Sequence, residues 1–348
     1  MRIGSLQIEP GALLAPMEAV TDLPFRTICE ELGASLTFTE FLSAEALTRG
    51  AKKAVDRMWP SLGGRRFAVQ IFGREPDALA RAAEMAVGVG ASIVDINMGC
   101  PVPKIAKHNA GCSLMREPEH AASVVRAMAK AVKIPVTVKM RAGWNEREIN
   151  APTLARMAED AGAAALAVHG RTAAQSYTGE SDWTLIERVA AEVSILVFGS
   201  GDCVRPEDVV SRLAGGHVAG VLIGRGALRN PWIFSQAARA VGGDDAGAVP
   251  LAERGRFLLE YIDLLLAERV AEGDGFRHSA PGHLPSLPAA ARGRERWVIN
   301  KLRALGSWYT KGLDGGSQLR VAINSAESIA ALRSIVSDFF LRSEAVVG

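Results

Sequence analysis

The chain has 348 residues, 48% of them hydrophobic and 22% charged, with a formal net charge of +2. That composition excludes intrinsic disorder, because it supplies enough apolar surface to offset chain entropy, and the length suits one large domain or two ordinary ones. No apolar run approaches the roughly 18 residues of a membrane span. The opening Met1-Arg2-Ile3-Gly4-Ser5 does not resemble a signal peptide. Cys29, Cys100, Cys112 and Cys203 are too scattered for a disulfide framework or a metal cluster. These features point to a soluble cytoplasmic protein with no membrane partner and no metal.

Short apolar, β-branched runs alternate with Ala-rich helical stretches over the first 235 residues. Strands are expected at Leu13–Ala15, Leu36–Phe41, Phe67–Phe72, Ser92–Asn97, Val136–Met140, Ala165–His169, Ile195–Phe198 and Val221–Ile223. Helices are expected at Asp77–Val87, Glu119–Val132, Thr153–Ala161 and Asp182–Ala191, several opened by Pro or Asp in the first turn. Eight strand-helix units predict an α/β fold, a closed (β/α)8 TIM barrel. An open doubly wound sheet is disfavoured, since Ala15-Pro16-Met17-Glu18 after the first strand is no glycine fingerprint for phosphate.

Each apolar run ends on a polar or functional side chain: Met17, Glu40, Gln70, Asn97, Lys139, His169, Asp202 and Arg225. In such a barrel these positions converge on the C-terminal mouth, where catalytic residues sit. Any one of them is explained by a chain leaving a buried strand; eight in register are not. Ser200-Gly201-Asp202 and Gly224-Arg225-Gly226, after the last two strands, offer backbone N–H groups where barrels commonly bind phosphate, so a phosphate-bearing cofactor is expected. Beside it, Lys139 supplies a fixed positive charge and His169 a donor, although an isolated His more often serves as a hydrogen-bonded core residue.

Cys100, between Gly99 and Pro101 on the loop after the fourth strand, is expected to be strained and exposed. With an ordinary thiol pKa of about 8.5 it suits a general acid; a nucleophile and inert filler are the other readings. Cys112 has small, apolar neighbours and reads as structural, as do Cys29 in a helix and Cys203 at a turn.

Leu14-Ala15-Pro16-Met17, Thr21-Asp22, Pro24-Phe25-Arg26, Val69-Gln70-Ile71-Phe72-Gly73, Asp95-Ile96-Asn97-Met98-Gly99-Cys100-Pro101, Val138-Lys139-Met140-Arg141, Gly143-Trp144 and Val168-His169-Gly170-Arg171-Thr172 stand in the order found in the tRNA-dihydrouridine synthase family. The chain resembles that family over residues 1–235 and again near 296–340, with the bacterial B-type branch the most similar. The resemblance implies an FMN enzyme that uses NAD(P)H, NADPH by preference, to reduce the C5=C6 bond of particular uridines in tRNA, hydride passing from flavin N5 to C6 and a proton from Cys100 to C5. By the same resemblance Pro16, Met17, Gln70, Lys139, His169, Gly201, Asp202, Gly224 and Arg225 contact the cofactor, and Asn97, Arg141 and Tyr177 lie near the base; Glu18 and Ser200, adjoining Met17 and Gly201, are expected at the cofactor too. Ser200 departs from the pattern, which commonly carries Asn there. Lys104 and Lys107 flank the active loop and either contact RNA backbone or remain solvated.

The division expected is a barrel over 1–245 that binds FMN and a small C-terminal helical domain over 246–348 that binds tRNA, with Ala271–Arg294 a flexible loop. Helical stripes recur at Phe257, Leu258, Tyr261, Leu264 and Leu265 and at Ile329, Leu332, Ile335, Val336 and Phe339. Between Arg292 and Arg320 seven cations, Arg292, Arg294, Arg296, Lys301, Arg303, Lys311 and Arg320, face only Glu295 and Asp314. Such an excess suits a polyanion or an ordinary solvated helix face. Two other functions remain open: a dihydroorotate-type flavoenzyme acting on free pyrimidines, and a tRNA binder without catalysis.

Overall fold

The computed structural model describes residues 1–9, 11–59, 64–267 and 293–342. Strands β1 (Arg2–Ile3) and β2 (Leu6–Gln7) form an antiparallel hairpin. The remaining strands are β3 (Gly11–Leu14), β4 (Thr37–Phe38), β5 (Leu42–Ser43), β6 (Phe67–Phe72), β7 (Ile93–Met98), β8 (Val136–Arg141), β9 (Ala165–His169), β10 (Leu196–Ser200) and β11 (Gly220–Ile223). All of these pair in parallel, and because β4 contacts both β3 and β6 while β11 contacts β3, the sheet closes on itself. The result is the expected eight-stranded barrel, with its second strand broken. Thr37–Phe38 pairs with the start of β6 and Leu42–Ser43 with its end, so the run expected over Leu36–Phe41 is two short pieces with Thr39-Glu40-Phe41 between them.

Side chains alternate across each strand, and register decides which meet inside the barrel. Leu13, Ala15, Phe38, Ala68, Ile93, Ala165, Ala167, Phe198 and Leu222 form one buried cluster with Ile3 and Ile8 of the N-terminal segment. The interior is thus packed, as barrels of this size are, and the hairpin seals one end. Further along the same inward face the chemistry turns polar: Gln70 pairs across to Asp95, Asp95 to Thr137, Asn97 to Lys139, and Arg141 to His169.

The outer helices follow from local signals. Pro occupies the first turn of Pro76–Gly88, Pro118–Ala131 and Pro206–Ala214, and Asp182 caps Trp183–Glu192 by accepting the Leu185 N–H at 2.9 Å. Pro76–Gly88 buries Ala78, Leu79, Ala82, Ala83 and Ala86, a stripe at helical spacing whose small residues permit close packing. Among the described residues no helix is long and apolar enough to cross a membrane.

The chain divides into two compact units, Met1–Ala227 with Ile233–Ala246, and Leu228–Trp232 with Gly247–Gly348. In the second, Phe257 stacks on Tyr309 with centroids 5.4 Å apart, and the Tyr309 hydroxyl donates to the Arg254 carbonyl at 2.9 Å. The first predicted stripe buries Phe257, Leu258, Tyr261 and Leu265. The last helix buries Leu332, Val336 and Phe340, so Phe340 rather than Phe339 completes its core face. The loop expected over 271–294 lies, up to residue 292, outside the described residues. Ile8→Ala, which empties part of the sealed end, is expected to cost about 2–5 kcal/mol, read as a lower urea midpoint with an unchanged m-value.

Candidate active site

Asn97 ends the inward face of β7 and organises the loop that follows. Its Oδ1 accepts the backbone N–H of Gly99 at 3.1 Å and of Cys100 at 2.9 Å, while its Nδ2 donates to Gln70 Oε1 at 2.8 Å. Gln70 in turn donates from Nε2 to Asp95 Oδ2 at 2.6 Å, and Thr137 donates its hydroxyl to Asp95 Oδ1. Asn97, Gln70, Asp95, Thr137 and Cys100 are all buried. The loop is fastened from the other side by Gly111, at φ +60°, where a Cβ would fall 2.8 Å from the Cys100 carbonyl, and by the Cys112 N–H, which donates to that carbonyl at 3.0 Å.

Cys100 is 8% exposed and packs with Ile105, Ala110, Phe41 and Phe72. The exposed setting expected for it is therefore corrected: the loop turns the thiol inward against apolar neighbours. Burial raises its pKa and the nearby Glu18 charge adds to that, against the backbone N–H of Val102 and the positive charges of Arg141 and Lys139. The thiol stays protonated at neutral pH. Cys112, pushed up to about 12 by burial, is inert.

The remaining strand ends supply positive charge. Lys139 is held down to about 8, first by burial and then by Arg141, with Asp95 and Cys100 opposing. His169 lies well below its ordinary value because burial and the cations Lys139, Arg141, Arg171 and Arg225 all disfavour a second proton; its imidazole is neutral. Arg141 is clamped by its own chain, with Nε on the Gly99 carbonyl and one terminal nitrogen on the carbonyls of Thr172 and Ser176, each 2.8 Å. Tyr177, 58% exposed, presents a ring flanked by the guanidinium of Arg141 at 5.6 Å and of Arg225 at 5.2 Å.

At the end of β10, Gly201 has φ +131° and a Cβ there would lie 2.2 Å from Ser181 Oγ, so only glycine fits. Asp202, itself at φ +56°, commits its carboxylate to Arg171 (2.8 Å to each oxygen), the Ser181 N–H at 2.7 Å and Arg225 at 3.4 Å. Ser200 is buried beside His169, its cross-strand partner. Met17 and Gly224 approach each other, with Met17 Sδ 3.4 Å from where a Gly224 Cβ would stand, and Pro16 is half-buried beside them. Glu18 is exposed and 3.8 Å from Arg57. Glu40, expected at the mouth, is buried 3.7 Å from the same arginine.

Lys104 and Lys107 are exposed on and just after the short helix Pro103–Ala106. Lys107 lines a groove of about 1060 Å³ beside Pro103, Trp144 and Asn150.

Two members of this assembly escaped the residue-by-residue reading. Asp95 sits two places before Asn97, on the same face of the strand by simple alternation. Arg171 lies two places after His169 and fastens the whole following loop through the carbonyls of Thr178 and Gly179.

A closed parallel barrel with a buried thiol and several cations gathered at the ends of its strands defines a barrel enzyme. The chain belongs to the dihydrouridine synthase (Dus) family, whose model matches residues 13–329. It is 37% identical over 340 residues to a protein of Xanthomonas campestris pv. campestris called tRNA-dihydrouridine synthase B, covering 98% of this chain and 96% of that one. A probable tRNA-dihydrouridine synthase of Rickettsia bellii is 33% identical over 341 residues, covering 98% of each chain. Among solved structures, histamine dehydrogenase from Rhizobium sp. 4-9 matches with TM-score 0.57 at 12% identity, over 76% of this chain and 50% of that one. Morphinone reductase matches with TM-score 0.52 at 14% identity, over 68% and 88%. Both share the fold.

Burial raises the Asp95 carboxyl to about 6, against the opposing hydrogen bonds of Gln70 and Thr137 and the charge of Lys139. A carboxyl raised on folding contributes stability that is full below its unfolded value near 4 and is lost as pH rises through 6. Wild type relative to Asp95→Asn is therefore expected to lose on the order of 3 kcal/mol between pH 4 and pH 7, measured as the difference between their urea-derived stabilities.

Proposed function

We propose that the protein reduces the C5=C6 bond of specific uridines in tRNA to 5,6-dihydrouridine, with FMN as cofactor and NADPH as reductant. The observation that carries the reading is a buried thiol, its pKa raised by burial, on a loop beside a cation-rich barrel mouth. Tyrosine and arginine flank the same mouth.

The residues fit a flavin mononucleotide. The mouth holds Lys139, Arg141, Arg171 and Arg225 with the Asp202 and Asp95 carboxylates as partial counter-charge. The Lys139 ammonium carries no hydrogen bond among the described residues, so an anionic or electron-rich group is the natural complement. Met17, Gln70, Lys139, His169, Gly201, Gly224 and Arg225 would hold the flavin and its phosphate, with Pro16, Glu18, Ser200 and Asp202 shaping the walls. Bound and reduced, FMN supplies hydride to uracil C6.

The chain's own groups do the rest. Lys139 stabilises negative charge, and neutral His169 donates one N–H. The Cys100 Sγ proton goes to uracil C5, completing reduction, and solvent returns a proton to the thiolate. Asn97 has one amide N–H left after serving Gln70, and Arg141 one terminal nitrogen free of the loop carbonyls; both suit the carbonyls of a uracil. The exposed Tyr177 ring, stiffened by two guanidinium groups, suits stacking of a splayed base. Lys104 and Lys107 would meet the flanking backbone. A tRNA substrate supports a cytoplasmic location.

For the helical unit, proposed to grip tRNA phosphates, the structure changes which cations count. Lys301 and Arg303 are buried, Arg303 donating to the Ala326 carbonyl at 3.0 Å, and Arg294 donates to the Leu265 carbonyl. Arg292 lies outside the described residues. Arg296 and Lys311 are exposed and Arg320 is half-buried.

Cys100→Ala is expected to retain bound flavin, seen in its visible absorbance, while dihydrouridine formation in unmodified tRNA falls at least 100-fold. Unchanged turnover would remove the thiol from the chemistry. The triple variant Arg296→Glu, Lys311→Glu, Arg320→Glu is expected to weaken tRNA binding by tenfold or more at low salt and to flatten the dependence of log Kd on log salt by about two. Flavin reduction by NADPH should be preserved, and wild-type affinity would make these charges an ordinary solvated face.

A further inference from the structure

The buried polar chain at the mouth has a direction. An ionised carboxylate only accepts hydrogen bonds, whereas a side-chain amide has one donating and one accepting end. Asp95 therefore takes the donor end of Gln70, which turns Gln70 Oε1 toward Asn97; Asn97 must meet that oxygen with its Nδ2, and this leaves Asn97 Oδ1 aimed at the Gly99 and Cys100 N–H groups. Every bond in the chain is between 2.6 and 3.1 Å. Asp95 is 1% exposed, Gln70 0% and Asn97 7%, so water offers little alternative partner. Thr137, which donates to the other Asp95 oxygen, fixes the rotation of the carboxylate, and Thr39, whose hydroxyl accepts the Gln70 N–H at 3.1 Å, fixes the backbone that carries the amide.

We infer that Asp95 is a positioning residue: its carboxylate, acting through Gln70 and Asn97, holds the Cys100 loop so that the thiol stays where it delivers its proton. The inference rests on the reading of Cys100 as proton donor, but the relay itself is read independently of turnover. Asp95 touches no reacting atom. It lies a full inward layer below Asn97, and what reaches the loop from it is orientation, carried by two amides that cannot both turn over without placing an N–H against the loop's own N–H groups.

The test is a coupling cycle on the FMN-loaded enzyme, using Asp95→Leu, Asn97→Ala and the double variant. Hydrogen exchange of the Gly99 and Cys100 amides reads the hold on the loop, and iodoacetamide labelling of Cys100, followed by peptide mass spectrometry, reads exposure of the thiol. Asp95→Leu leaves Gln70 Nε2 without an acceptor and is expected to speed both about tenfold, with kcat falling by a similar factor and KM for tRNA within twofold. Asn97→Ala is expected to do at least as much, and the double variant no more than Asn97→Ala alone, because the second cut falls on a chain already broken. Asp95→Asn, which keeps an acceptor oxygen, is expected to stay within threefold of wild type. The proposal is overturned if Asp95→Leu leaves loop exchange within twofold, or if its effect multiplies with that of Asn97→Ala, as a general loss of barrel stability would produce. Should Asp95→Leu not fold, Asp95→Ala takes its place in the cycle, and the same two results overturn the proposal. Loss of turnover in Cys100→Ala with an additive cycle would sink the relay alone; the reverse pattern would sink the proton-donor reading and leave the relay standing.

Discussion

The active end of this protein depends on a single cost: placing a carboxylate, Asp95, inside a parallel barrel. The interior below it is aliphatic and aromatic, and an ion there survives only if its lone pairs are used. Gln70 and Thr137 use them. Satisfying that carboxylate commits the amide of Gln70, which commits Asn97, which commits the loop bearing Cys100. A polar network in a low-dielectric interior is rigid because each member lacks another partner. The same arrangement that is unfavourable to bury is what makes the thiol's position reproducible.

Burial then sorts the titrating groups by charge. Desolvation favours neutral forms, so it keeps the Cys100 proton on sulfur and the second proton off His169. Lys139 resists because Asp95 stands near it, and it remains mostly an ammonium at neutral pH. The mouth thus contains a neutral acid, a neutral donor and a cation together. For a reduction that develops negative charge on a ring and ends in protonation of carbon, that is the useful combination, and it is set by depth in the barrel more than by any one neighbour.

Much of this was legible in the sequence because barrel strands carry two signals at once, an apolar run and a polar end. Strand count, parallel closure and the convergence of Gln70, Asn97, Lys139, His169 and Asp202 follow from them. Other features were not legible for physical reasons. The break between β4 and β5 depends on two separate pairings with β6, which no local pattern records. Cys100 between Gly and Pro looked exposed, yet Gly111, further along the chain and in a left-handed conformation, folds the loop back over it. Asp95 was hidden by its strand, since an acid in an apolar run reads as noise until cross-strand register pairs it with Gln70 and Thr137.

Two of the seven cations counted between Arg292 and Arg320 do not reach solvent. Lys301 and Arg303 lie on the buried face of the helix Arg294–Tyr309, the former over the Trp297 ring and the latter on the Ala326 carbonyl. Long cationic side chains bury their stems and tie their heads to rings and carbonyls. They then stabilise the fold and are lost as a source of phosphate affinity. Counterion release rewards only charges that reach solvent, so on the proposed reading Arg296, Lys311 and Arg320 contribute phosphate affinity that the buried Lys301 and Arg303 do not. Splaying a stacked base costs a few kcal/mol, and three phosphate contacts are of the right order to cover it at low salt. On the proposed reading, base extrusion therefore becomes strongly dependent on ionic strength, while the chemistry in the buried mouth, shielded from the same ions, does not.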